Sequence, residues 1–373
     1  MITNKEILCQ ENINIDKGFF PEEMCLEDTL FFDIETTGLS PGNSRVFLIG
    51  IITKDREDPF PVLLQFLAEE NTENEEKALL KAFSAFTQKK KYLVHFNGSS
   101  FDVPYQSHRC RYLGLEQSFS SLTQIDLYRE LTRFPRFFSQ MPDHKQKSYE
   151  NLMGYPRTDQ LSGKEMINFY QIYVKSKDIK IQNMLFLHNR DDLKGMLSLL
   201  PLGYLKNMFA GCFTVREVQE IQEPTLEGYQ KRELLFSLEF PFSIPVRLTG
   251  VTDLCRISVE YSSGKIKMPL YEGTLKYFYP DYQNYYFLPY EDEAIHKSVA
   301  IYTDPSRRRK AKASDCYKKY SGTFVSAPGN LSLPGLKESY KSSASFALWP
   351  FRDMSPEFLR KYLLEILKYS RPV

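Results

Sequence analysis

The sequence has no pair of cysteines at metal-ligand or redox spacing. Its six cysteines, at positions 9, 25, 110, 212, 255 and 316, stand far apart, and none belongs to a CxxC. This argues against a structural zinc site or a disulfide framework and for a reducing compartment. Net charge is also missing: Lys plus Arg total 48 and Asp plus Glu total 47, so no global field announces a polyanionic partner, and any such surface must be local. No apolar run reaches membrane-spanning length, and the N-terminal MITNKEILCQENINID lacks the apolar core of a signal peptide. There is no internal repeat and no long low-complexity tract. These absences lead to the expectation of a cytoplasmic protein with no membrane attachment. At 373 residues the chain is long enough for two domains with substantial cores. Aromatics are abundant instead: 28 Phe and 24 Tyr suit large cores and permit stacking against flat ligands.

Periodicity divides the chain. The first 28 residues are polar and read as an arm or an edge element. Strand candidates follow in TLFFDIET, RVFLIGIIT and PVLLQFLAE, then a helix in NEEKALLKAFSAFTQ, where Leu79, Leu80, Phe83 and Phe86 recur at helical spacing. KYLVHF is a fourth strand, closed by an Asn97-Gly98 turn and a short helix from about Phe101, and QID ends a fifth. Ser162 and Glu165 form a capping box, and a last helix is read over residues 188–200. This predicts an α/β domain over residues 29–208 with a mixed sheet flanked by helices. Beyond it, short β-type runs broken by Gly and Pro predict a β-rich domain over residues 209–373. That domain carries a basic segment, expected to be helical, at 306–319, and a final helix with Ser355 as N-cap.

One stretch of the first domain demands a chemical explanation. In FFDIETTGL, Asp33 and Glu35 lie two apart on a strand and so share a face, where two carboxylates repel. Asp102 lies just past the Asn-Gly turn, and Asp192 lies four residues after His188 on one helix face. On a helical wheel Asp192 sits at the edge of the apolar stripe of Leu193, Met196, Leu197 and Leu200. Asp191, about 100° away, is expected to face solvent. Four carboxylates gathered in a half-buried cleft require a cation, and oxygen-only ligands select Mg²⁺ or Mn²⁺. Two such ions ~3.5–4 Å apart serve in-line displacement at phosphorus. His188, one turn before Asp192, is placed to accept a proton from water.

Together FDIETTGL, HFNGSSFDVP and HNRDDL, in this order, resemble the three motifs of the DEDD-type 3′–5′ exonucleases, and within them the YprB-like ribonuclease-H-like domain. The resemblance covers roughly residues 29–203. It implies a ribonuclease-H-like fold, the metal ligands Asp33, Glu35, Asp102 and Asp192, and a catalytic His188. The spacing of four between His188 and Asp192 departs from the five of the better-studied His-bearing enzymes and matches the branch that uses Tyr. The loop Thr36, Thr37, Gly38 and Leu39 corresponds to the one that contacts a terminal nucleotide in the resembled family, and Asn97 belongs to the same candidate surface. Arg307, Arg308 and Lys312, from the basic segment, are further candidates for binding nucleic acid. The expected activity is metal-dependent 3′–5′ exonucleolytic hydrolysis. Two alternatives stand beside it: a nucleic-acid-binding protein with a vestigial site, and a metal-dependent endonuclease.

Overall fold

The computed structural model describes residues 1–9, 13, 18–116, 118–224, 230–329 and 333–369. By its contacts the chain divides into two compact units, one of Met1–Asn207 with Ile244–Val246, the other of Met208–Ser243 with Arg247–Val373.

The first unit is built on one six-stranded mixed sheet. Its strands are β1 (Ile2–Ile7), β2 (Thr29–Thr36), β3 (Val46–Thr53), β4 (Val62–Leu67), β5 (Tyr92–His95) and β6 (Thr123–Asp126), in the order β1-β4-β3-β2-β5-β6. The segment read as an arm or edge element therefore supplies an edge strand, β1, antiparallel to β4. β2, β3 and β4 are antiparallel neighbours, whereas β5 and β6 run parallel to β2 because helices return the chain between them. The helices are α1 (Glu73–Thr87), α2 (Asp102–Tyr112), α3 (Leu127–Leu131), α4 (Gln146–Leu152), α5 (Gly163–Ser176), α6 (Ile179–Ser198) and α7 (Tyr204–Phe209). α5 opens with the Ser162–Glu165 capping box.

β2 explains the placement of the acids. Leu30, Phe32 and Ile34 point into the main core, together with Leu79, Leu80 and Phe83 of α1. Alternation then turns Asp33 and Glu35 to the other face, where both are half-buried. That face is covered by α6, which packs on β2 and β3. α6 begins at Ile179, nine residues before the expected start, because Asp178 caps it and the apolar positions continue upstream through Leu185 and Phe186. The close approach depends on Gly50, the partner of Asp33 across the β2–β3 ladder. A Cβ at Gly50 would stand 1.9 Å from Asn189 Oδ1.

The second unit is β-rich. A five-stranded sheet runs in the order β14-β13-β9-β8-β7, from β7 (Thr214–Pro224), β8 (Gln230–Val251), β9 (Arg256–Phe278), β13 (Tyr317–Ser326) and β14 (Phe346–Trp349). α9 (Pro356–Tyr369) contributes Tyr362, Leu363 and Ile366 to its core, and Ser355 Oγ accepts from the Phe358 N–H, 3.3 Å. A three-stranded sheet joins β10 (Tyr285–Leu288) to β11 (Glu293–His296) and β12 (Arg309–Lys310), with α8 (Lys297–Ala300) after β11. The basic segment is therefore not the helix expected. Its residues form a 3-10 turn over Pro305–Arg307, strand β12 and the start of β13. Alternating burial around Ala311, Cys316 and Tyr317 ties it to the core of this small sheet and overrides its helical propensity. No helix among the described residues is long and apolar enough to cross a membrane.

Candidate active site

Three elements of the first unit converge on one cluster. β2 brings Asp33 and Glu35, the start of α2 brings Asp102, and α6 brings His188 and Asp192. Ligand atoms of Glu35, His188 and Asp192 all lie within 4.8 Å of one another. His188 Nε2 is 3.4 Å from Glu35 Oε1 and 3.3 Å from Asp192 Oδ2. Asp33 Oδ2 accepts a 2.8 Å hydrogen bond from Asn189 Nδ2, and Asn189 in turn accepts from Gln65 Nε2 at 2.9 Å.

The electrostatics follow from this crowding. Burial, then the charges of Asp192, Glu35 and Asp102, hold the Asp33 carboxyl well above the ordinary carboxylate range. Burial and the charges of Asp192 and Asp102 do the same for Glu35. Burial pushes Asp102 up to about 7, with Asp126 and Asp192 adding to it. Among the described residues no Lys or Arg pairs with Asp33, Glu35 or Asp102. Such a donor set, carboxylate oxygens beside the His188 nitrogen and short of positive charge, could hold a divalent cation. The sulfur ligands that would favour a softer metal are absent from the cluster.

The loops are fixed by local chemistry. Asn97 adopts a left-handed backbone, φ 58°, as its Asn-Gly turn requires. Asp126 does more than cap α3: its carboxylate accepts from the N–H groups of Asn97 (2.8 Å), Ser99 (3.3 Å) and Tyr128 (3.1 Å). It thereby sets the turn that leads to Asp102. A Cβ at Gly98 would lie 2.7 Å from the His95 ring and 3.0 Å from Asp102 Oδ2, so only glycine fits there. The loop after β2 is pinned as well, since Thr36 Oγ1 and Ser44 Oγ each donate to the Gly38 carbonyl at 3.0 Å. Arg45 N–H donates to Thr37 Oγ1 at 2.9 Å. Leu39 is left 84% exposed at the tip.

The expectation for Asp191 is overturned. It is only 3% exposed and accepts from Thr158 N (2.8 Å), Thr158 Oγ1 (3.0 Å) and Asp159 N (2.8 Å). The wheel assumed one buried face, but α6 is covered on two: by the sheet, and by α4 with the turn at 155–159. The sequence reading also missed the residues of that turn. Asp159 Oδ2 lies 2.6 Å from His188 Nδ1. The Arg157 guanidinium reaches Asp192 (2.6 Å), Glu150 (3.1 Å) and Asp159 (3.2 Å). Burial opposes the Arg157 charge, but Asp192 and Glu150 more than restore it. Their only signal in the sequence is a pair of opposite charges, RTD, between two helices. For Asn189 the signal is its place beside His188.

In the second unit Arg307, Arg308 and Arg309 lie over the rings of Tyr290, Tyr286 and Phe287 at 5.2, 5.0 and 4.5 Å. Arg308 is half-buried and donates to the Ala300 carbonyl, whereas Arg307 and Lys312 are exposed.

Two outcomes are expected. A carboxyl whose pKa is raised on folding binds protons more tightly in the native state, so stability falls as pH climbs from the unfolded pKa to the folded one. For Asp102 that window runs from about 4 to about 7. In chelator, Asp102→Asn should therefore gain melting temperature over the wild type between about pH 5 and about pH 7.5. A constant difference would contradict the raised carboxyl. Separately, Asp191→Ala should cost about 2–4 kcal/mol by denaturant unfolding, because three donors, the Asp159 N–H among them buried, lose a buried acceptor. Asp192→Ala should cost less, since Arg157 keeps Glu150 and Asp159. The reverse ranking would refute the structural role of Asp191.

The family comparison agrees with this architecture. Residues 30–202 match the family model described as the RNase_H superfamily. No curated protein matches the sequence. Among solved structures, the family B DNA polymerase of the archaeon Pyrobaculum calidifontis aligns at 16% identity and TM-score 0.36, covering 69% of this chain and 35% of the polymerase. E. coli Exonuclease I in complex with a dT13 oligonucleotide aligns at 12% identity and TM-score 0.29, covering 57% of this chain and 54% of Exonuclease I. The alignments thus span about a third of the polymerase and about half of the exonuclease. By its family match and its helix-flanked mixed sheet, the segment 30–202 has a ribonuclease-H-like fold.

Proposed function

We propose that this chain is a metal-dependent 3′–5′ exonuclease acting on single-stranded ends of nucleic acid. The observation that carries the reading is the crowding of Asp33, Glu35, Asp102 and Asp192, with His188 Nε2 against Glu35 and Asp192 and, among the described residues, no Lys or Arg paired with Asp33, Glu35 or Asp102. These four would hold two Mg²⁺ or Mn²⁺ ions. When bound, the ions supply neutralisation of charge at the phosphate and a more acidic water. The chain's own residues do the rest. His188 Nε2, facing Glu35 and Asp192, takes the proton of the attacking water. Asn189 and Gly50 hold Asp33 in place. The pinned loop of Thr36, Thr37 and Gly38 presents the exposed Leu39 as a wedge against the terminal base, and the Asn97 turn borders the same cleft. A second reading, binding without cleavage, draws on Arg157, a protein cation already seated on Asp192. It leaves Asp33 and Asp102 without a counter-charge.

Oligonucleotides of DNA and RNA, labelled at either end and incubated in Mg²⁺ or Mn²⁺, test both readings. The expected result is stepwise loss of 5′-monophosphates from the 3′ end, stopped by a chelator. Asp33→Asn should be inactive yet melt no lower than the metal-free wild type, because one repelling charge is gone. Internal fragments from both labels would favour an endonuclease, and no cleavage in any condition would leave binding alone.

Arg307, Arg308 and Lys312 are assigned to the nucleic-acid backbone, with Arg307 and Lys312 the exposed members free to make the contact. Changing those two to Gln should flatten the plot of log affinity against log salt by about 0.7 per lost phosphate contact on a single strand. An unchanged slope would make the segment a solvated surface.

A further inference from the structure

The turn at 155–159 matches no motif, yet it is one of the most tightly held polar segments near the cluster. Asp191 takes up the backbone N–H groups of Thr158 and Asp159, each at 2.8 Å, which fixes the main chain without using the Asp159 side chain. That side chain is buried, 6% exposed. Its Oδ1 accepts from the Leu161 N–H at 3.0 Å, and its Oδ2 faces His188 Nδ1 at 2.6 Å, with Arg157 at 3.2 Å and Lys147 Nζ at 3.7 Å. We infer that Asp159 is a positioning residue for the reaction: it fixes the His188 imidazole with a proton on Nδ1, leaving Nε2 toward Glu35 and Asp192. The inference rests on the role proposed above for His188.

The physical reason is the chemistry of the acceptor. Burial raises the Asp159 carboxyl, but the Leu161 N–H, His188 and Arg157 outweigh it and hold the group below its ordinary range. An ionised carboxylate has only lone pairs to offer, so Nδ1 must donate. That assigns the tautomer, and a ring flip would set Nε2 against Asp159 and carry the proton acceptor away from the cleft. A purely structural role for Asp159 would need only the Leu161 bond and the Arg157 pair, neither of which requires an imidazole.

Asp159→Asn keeps the shape and removes the charge. Expected is a fall in kcat of about 10²–10⁴-fold, by analogy with the loss of a carboxylate that orients a catalytic histidine. KM for the oligonucleotide and Mn²⁺ affinity by calorimetry should stay within about twofold, and Asp159→Glu should recover part of kcat. In the metal-free protein, ¹⁵N-labelled histidine should show an Nδ1-bound proton on His188, protected from exchange in the wild type and lost in the Asn variant. A wild type that cleaves beside an Asn variant with full kcat would overturn the positioning role and leave the nuclease reading intact. So would a loss of kcat matched by equal losses in Mn²⁺ binding and melting temperature. An inactive wild type would overturn both.

Discussion

Repulsion between carboxylates is the constraint around which the first unit is organised. A strand whose one face is core must send its alternate side chains to the other face, and in β2 those are Asp33 and Glu35. Their partners across the β2–β3 ladder, Gly50 and Leu48, cannot neutralise them. The glycine instead admits α6 so closely that Asn189 lies on the strand, hydrogen-bonded to Asp33 and to Gln65. Close packing of helix on sheet is thus what brings Asp192 and His188 to the acids. The strain of like charges is accepted where a folded protein without a ligand would avoid it.

Much of this was legible in the order of residues. Apolar runs marked off by turn residues located β2 through β4, and the Asn-Gly turn located the bend before Asp102, because both are local features of the sequence. The edge strand β1 was harder to read: its burial alternates, yet its partner β4 lies some sixty residues away, and only the tertiary pairing makes it a strand. The basic segment was misread as a helix for a related reason. Its Arg and Lys favour helix weakly, whereas pairing of Phe287 with Arg309 and burial of Cys316 decide the outcome.

The failure over Asp191 is instructive. A helical wheel locates one apolar stripe and treats every polar position off that stripe as solvated. α6 has a second buried face that is polar, formed by His188, Asp191 and Gly195. Gly195 is part of it because a Cβ there would stand 1.9 Å from Glu150 Oε1. Polar faces are buried only when each group finds a partner, and these partners come from the turn at 155–159, thirty residues upstream. Hydropathy carries no record of such pairing, so Asp191, Asp159 and Arg157 could be recognised only once the two segments were adjacent.

The same network separates the acids that have a protein counter-charge from those that do not. Arg157 sits among Glu150, Asp159 and Asp192, and Asp159 has Lys147 beyond it. Each of these carboxylates therefore has a cation of the chain within reach. Asp33, Glu35 and Asp102 lie outside that ring, and burial together with neighbouring acids, Asp192 among them for all three, raises their carboxyls; burial raises Glu150 as well, although Arg157 opposes it. The uncompensated charge is thus concentrated at the end of β2 and the start of α2, not spread evenly over the cluster. Asp192 stands at the boundary, one oxygen on Arg157 and the other toward His188. The arginine therefore balances the half of the cluster that the turn at 155–159 holds, and leaves the other half in deficit.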